Sequence, residues 1–239
     1  MKNLIKSAAI LFLIFGLSSC MYNGVKGDGN VVSNNRKISD DFVRIEASRG
    51  LDVYITKSKK MKLVVEADEN LHELIETDVR EGTLYITASK NIYTASAKKI
   101  HLSVDFINEI KVSSGAEVFS ENTFTSEKLA VNASSGAQAK LDLQVDELHC
   151  ESSSGAEIKL IGEANNFDAS SSSGSEIEAY GLTARNCNAQ ASSGSDMELM
   201  VTEVFVGKAT SGGDIKCKGR PKKAQKNNNS GGSVRSIDG

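Results

Sequence analysis

One short phrase returns six times between residues 113 and 214: SSGAE at Ser113, SSGAQ at Ser134, SSGAE at Ser153, SSGSE at Ser172, SSGSD at Ser192 and TSGGD at Thr210. Its glycines are Gly115, Gly136, Gly155, Gly174, Gly194 and Gly212, separated by 21, 19, 19, 20 and 18 residues. Helical repeats need about thirty residues or more for each unit, so this period fits one coil of a β-solenoid.

Aligned on the glycine, the copies alternate with period two, as half-buried strands do. Leu129, Val131 and Ala133 precede Gly136 at odd offsets, and Ala137, Ala139 and Leu141 follow it. Cys187, Ala189 and Ala191 stand in the same way before Gly194, and Ser195, Met197 and Leu199 after it. These positions are expected to point inward, and intervening ones such as Asn132, Glu151, Asp168, Gln190 and Lys208 to face water. A straight strand through thirteen positions would run ~40 Å, and the seven residues left in each repeat span only ~25 Å, so the chain must bend. The glycine, which tolerates backbone angles that other residues avoid, marks the corner. The expected fold class is therefore all-β: a right-handed parallel β-helix of ~20 residues per coil, its coils ~4.8 Å apart.

Earlier residues follow the same pattern less regularly. Val43, Ile45 and Ala47 precede Gly50, and Leu51, Val53 and Ile55 follow it, in the register of the later coils. Runs at 62–67, 83–88 and 100–106 read as strands, and 68–75 as a helical turn or bulging loop. Residues 41–219 thus read as one continuous solenoid of roughly nine coils, less regular over 41–112 and regular over 113–219. Residues 20–40 read as a flexible, glycine-bearing tether. Residues 220–239, which hold the only proline, read as a cap or tail over the last coil, because a bare solenoid end is a sheet edge that invites polymerisation.

The first residues carry an address. Lys2 and Lys6 precede an apolar run from Ala8 to Leu17, the layout of a cleaved export signal over residues 1–19. The run is about half the ~20 residues that a membrane-spanning helix needs. Leu17-Ser18-Ser19-Cys20 resembles a bacterial lipobox, which implies acylation of Cys20 at the mature N-terminus and an anchor in the outer membrane, on its periplasmic or cell-surface side. Nucleic acid is not an expected partner: 28 basic residues face 31 acidic ones without a basic stripe, so the attraction to a phosphate backbone is missing.

The lipobox, FVRIEASRGLDVYIT, VVEADENL, the SSGAE and SSGSD series and the closing SGGSVRSI together resemble the "putative auto-transporter adhesin, head GIN domain" family, common in lipoproteins of Bacteroides-like bacteria. The similarity covers nearly all of residues 41–239. It implies a right-handed β-helix in the cell envelope and brings no catalytic residues with it. Gln138 departs from the pattern where an acid is usual, as does Gly213 where the residue after the repeat glycine is usually larger.

Among candidate sites, the most suggestive is an acidic column two residues after each glycine: Asp52, Glu117, Glu157, Glu176, Asp196 and Asp214, with Gln138 in the series. Stacked carboxylates could collect Ca²⁺, which takes several oxygen ligands. The plainer expectation is a solvated face balanced diagonally by Lys140, Lys159 and Lys216, with no bound metal or cofactor. Serines before the glycines, Ser114 to Ser211, lack a matching base, since His72, His101 and His149 sit in no motif; a hydroxyl ladder between coils is their expected role. Gly50 and the six repeat glycines are structural corners.

The function these features suggest is a non-enzymatic envelope lipoprotein that presents repeated polar faces to a protein or glycan. The alternative is a polysaccharide-binding or polysaccharide-degrading β-helix, which would need two particular carboxylates in a cleft. The lipid anchor makes the membrane a further partner, and a homo-oligomer stays open.

Overall fold

The computed structural model describes residues 24–39 and 41–237. Cys20 and the leader lie outside them. Parallel coils stack into a β-solenoid of about seven turns with about 19 residues per turn. In the regular half, Gln138–Ser152, Glu157–Ser171, Glu176–Ala191 and Asp196–Ala209 each run as one long bent strand from corner to corner. They pair in parallel with like positions in register: Ile158 lies on Ile177 and Ile177 on Met197, while Cys150 lies on Ala169 and Ala169 on Ala189. The inward rows expected from the alternation are buried. Each Leu or Ile so enclosed contributes ~1.5–3 kcal/mol through the loss of its contact with water.

A second bend needs no turn. Along each long strand the alternation breaks where two neighbours both face solvent, as at Asp146 and Glu147 or Asn165 and Asn166. This break is how one continuous strand supplies two sides of the coil.

At the glycine corners the bend is a tight turn of two residues. Ser114 and Gly115 have φ of 53° and 70°, and the Ala116 N–H donates to the Ser113 carbonyl at 3.1 Å. Positive φ at both central positions with that hydrogen bond is a type I′ turn. The same Ser-Gly pair of positive angles recurs at every repeat corner, and Arg49-Gly50 and Glu81-Gly82 adopt it as well. Turns are joined along the rod by backbone: the Gly115 N–H donates to the Ser135 carbonyl at 3.2 Å and the Gly136 N–H to the Ser154 carbonyl at 3.1 Å. The expected hydroxyl ladder is not formed. Ser114, Ser135, Ser154, Ser173, Ser193 and Ser211 point into solvent, and among the described residues their hydroxyls make no hydrogen bond, because a side chain at an αL corner is turned away from the stack.

The expectation of one continuous solenoid fails before residue 105. Arg44–Ala47 and Asp52–Lys57 do form a coil, stacked in parallel on Glu109–Val112 and Glu117–Ser120. On their other side lie Thr83–Ala88 and Lys98–Val104, so order along the rod is not chain order. Lys62–Asp68 then runs antiparallel to Lys98–Val104, and Ile75–Arg80 antiparallel to Thr83–Ala88. A 3-10 turn, Glu69–Leu71, carries the chain round the corner between them, and the reversals lie at residues 58–61 and at Glu81-Gly82. Antiparallel return strands replace coils here, which lowers the turn count from the nine expected.

Both ends also differ from expectation. Within the supposed tether, Val31–Arg36 is a strand paired antiparallel with Lys62–Asp68. The reason is Asp68, a buried carboxylate. Its oxygens accept the backbone N–H groups of Gly29, Ser96 and Ala97, each at 2.9 Å, which pins the entering segment to the sheet. Burial pushes the Asp68 pKa up, but these hydrogen bonds outweigh it and hold the group below its ordinary value. At the other end the supposed cap is one more coil: Lys223–Asn228 pairs in parallel with Val204–Ala209, and Ser233–Ser236 with Asp214–Cys217, with Ser230-Gly231 as its corner. Lys226 occupies a core row there, opposite Gly207, and of this coil's strand residues only Val234 is buried.

The cysteines Cys150, Cys187 and Cys217 are buried free thiols. Burial pushes all three thiols up, that of Cys217 to about 11, so they serve as small apolar residues of the core. No helix among the described residues is long and apolar enough to cross a membrane.

Candidate functional site

Stacking in register brings the acidic positions into one row: Asp52 beside Glu117, then Gln138, Glu157, Glu176, Asp196 and Asp214. The two ends of the row are neutralised. Lys98 Nζ lies 3.2 Å from Asp52, and Arg235 pairs with Asp214. Gln138 donates its amide hydrogen to the Glu157 carboxylate, so the departure from an acid at this position relieves one repulsion. Glu176 sits between two carboxylates without a cation of its own. Burial first, then Glu157 and Asp196, raises its pKa.

The neighbouring row, two residues further on, holds Tyr54, Phe119, Lys140, Lys159, Glu178, Glu198 and Lys216. Its lysines do not reach diagonally to the acidic row as expected. Lys159 pairs with Glu178 at 2.7 Å and Lys216 with Glu198 at 3.0 Å, both within their own row. Directly stacked neighbours ~4.8 Å apart are closer than diagonal ones, and the shorter reach wins. The hydrogen bond to Glu178 raises the Lys159 pKa. Among the described residues, no group of three or more His, Cys, Asp or Glu side chains is placed to hold a metal ion. Toward the irregular end the same row becomes aromatic. Tyr54 stacks on His101 and on Phe119, each with ring centroids 5.2 Å apart, and Lys140 Nζ lies 5.7 Å from the Phe119 centroid. Reading the repeat alone misses His101, because its place depends on Lys98–Val104 stacking against Asp52–Lys57.

A different face carries an open groove of about 800 Å³ beside the turnless bend. Its walls are ladders: Glu147, Asn166 and Asn186 in one row, His149, Asp168 and Asn188 in the next. Asn186 donates its amide to Asn166 at 3.0 Å, Asn188 donates to Asp168 at 3.2 Å, and His149 lies 3.7 Å from Asp168. Leu129, Leu148 and Phe167 line the groove from the core, and Val204 and Val206 close one end. The alternation marks these positions as outward, but it does not show that the sheet is concave there.

Histidine and serine are not brought together as a nucleophile and base would be. His72 is buried against the carbonyls of Val32 and Ala67, His101 lies in the aromatic stack, and His149 lies between Glu151 and Asp168. Among the described residues, none of them hydrogen-bonds a serine.

Solved structures share this fold. A "putative adhesin" from Bacteroides fragilis NCTC 9343 superposes with a TM-score of 0.81 at 24% identity, covering 90% of this chain and 100% of that one. A "putative lipid binding protein" from Parabacteroides distasonis ATCC 8503 gives 0.70 at 22% identity, over 89% and 99% of the two chains. A "putative adhesin" from Parabacteroides merdae ATCC 43184 gives 0.67 at 22% identity, over 90% and 99%. A comparison with curated proteins returns no match. The model of one family, described as "Putative auto-transporter adhesin, head GIN domain", matches residues 41–221, and to that family this chain belongs.

Proposed function

We propose that this chain is a non-enzymatic lipoprotein of the bacterial cell envelope, anchored through Cys20, whose β-helix presents its ladder-lined groove to a protein or glycan partner. The groove is the observation that carries this reading. Amide and carboxylate groups line it in two rows over three successive coils above an apolar floor, so an extended chain laid along it meets polar partners at each of those coils. Each hydrogen bond adds only about 0.5–1.5 kcal/mol, and a row of them supplies affinity through number. Membership of an adhesin-type family agrees with display rather than turnover.

The test uses residues 21–239 on arrays of bacterial glycans and in cross-linking to envelope proteins, beside the variant Asp168→Ala with Asn188→Ala. Binding by the wild type that falls in the double variant is expected. Binding that the double variant keeps in full, or turnover of a bound polysaccharide, would overturn the reading. For the anchor, the full chain is expected to take up labelled palmitate, and Cys20→Ala to take up none; label retained by that variant would refute it.

A further inference from the structure

One strand edge at each end of the rod is strongly charged, and the two are opposite in sign. At one end Ile75–Arg80 pairs only with Thr83–Ala88, and Val31–Arg36 only with Lys62–Asp68, so each leaves one side of its backbone unpaired. At the other end Lys223–Asn228 and Ser233–Ser236 are likewise paired on one side only. Around the first edge, residues 69–81 carry Glu69, Glu73, Glu76, Asp78 and Glu81 against the single base Arg80. Among the described residues, the carboxylates of Glu73, Glu76 and Glu81 meet no cation, and Glu73 and Glu81 are exposed. The one base of the companion strand, Arg36, is spent on the His72 carbonyl.

Around the second edge, residues 217–237 carry Lys218, Arg220, Lys222, Lys223, Lys226 and Arg235 with no acid among them. Lys222 pairs with Glu203, Arg235 with Asp214, and Lys218 lies 3.9 Å from the Tyr180 ring centroid. Arg220, Lys223 and Lys226 are exposed and, among the described residues, have no carboxylate. The balanced net charge of −3 hides this separation.

We propose that the cationic end of one molecule docks on the acidic end of a second copy, joining the rods head to tail. Strand directions allow it. In a coaxial pair, Lys223–Asn228 would lie over the partner's Ile75–Arg80 with opposite strand sense, one strand spacing short of backbone pairing, because the partner's Val31–Arg36 stands one strand beyond it. Ser233–Ser236 would meet Val31–Arg36 in parallel, after two reversals. Lys223, in an outward row, would face the outward row that carries Glu76 and Asp78, and Lys226, over the end of the core, adds its charge to the same edge. An interface between unlike ends does not close on itself and gives open chains of copies. It leaves the groove free for the partner proposed above and does not depend on that reading.

The test is sedimentation of residues 21–239 over a range of concentration and salt. Linear association at low ionic strength that is lost at about 0.5 M salt is expected, because exposed charges are screened within a few ångströms there. Lys223→Glu with Lys226→Glu, and separately Glu76→Lys with Asp78→Lys, should each weaken association about 100-fold or more, since like charges then face one another. All four positions lie on an edge strand, and circular dichroism checks the fold. Mixing the two variants should restore association, because each supplies the complement of the other's altered end. A protein that stays monomeric throughout would overturn the proposal, as would association that survives either charge reversal, or a cationic end that binds only anionic vesicles.

Discussion

At a repeat corner the cost of the turn is local strain alone. A Cβ built on Gly155 meets nothing within 4 Å, so the next coil does not crowd it, and only φ of +70° opposes a side chain. Gly155→Ala should therefore destabilise by about 1–2 kcal/mol. Gly162, inside a long strand, is a different case. Its φ is +108°, and a Cβ there would lie 2.0 Å from the Leu143 carbonyl oxygen of the coil below. Overlap with rigid backbone adds about 1–3 kcal/mol to the strain, so Gly162→Ala should cost clearly more than Gly155→Ala. Urea unfolding of the two variants measures both, and equal losses would refute the distinction. The repeat makes Gly155 conspicuous because its column holds glycine in each coil, whereas Gly162 has Leu143 and Leu182 as its stacked neighbours and leaves no periodic trace.

Among the elements, Lys62–Asp68 and Val31–Arg36 decide where the solenoid stops. The alternation of Leu63, Val65 and Ala67 identifies a strand with one buried side, and that pattern is the same whether the neighbour runs parallel or antiparallel. Direction is set by the return path of residues 58–61 and by Asp68, whose hydrogen bonds lie 28 to 39 residues away along the chain, beyond any local signal. For this reason the coil register is legible around Gly50 and again from Gly115 onward, while the antiparallel end between them is not. Asp68 also makes the end sensitive to acid. Its folded pKa is depressed, so its contribution is fully present above the unfolded value near 3.9 and is lost as pH falls through the lower folded value. Asp68→Asn should accordingly lower the melting temperature at pH 7, and the gap to wild type should narrow as the pH drops below about 4. A gap that is constant with pH would mean that the carboxylate's charge plays no part.

Across the whole molecule, in-register stacking turns every outward position into a column, which is why the acidic row from Asp52 to Asp214 was readable from spacing. The choice between partners within a row and across rows is made by side-chain reach, and spacing is silent on it. Here it leaves Glu157, Glu176 and Asp196 without lysines while Lys159 and Lys216 turn to Glu178 and Glu198. Because burial and the flanking carboxylates raise the Glu176 pKa, its charged form is disfavoured in the folded protein. Removing that charge should stabilise the fold at neutral pH, and the gain should fade as the pH falls through the raised value, where the wild-type carboxyl takes up its proton. A cross-strand like-charge pair costs roughly 0.2–1 kcal/mol, which sets the size of the gain from Glu157→Gln with Glu176→Gln. If the row bound Ca²⁺, the ion would cancel that repulsion in the wild type and the double variant would lose the response. Three carboxylates spread along a flat face cannot converge on one ion as a calcium loop does. Thermal unfolding in millimolar Ca²⁺ and in chelator is therefore expected to give the same midpoint for each protein, with the double variant slightly above the wild type in both. A calcium-dependent rise confined to the wild type would instead make this row a cation site.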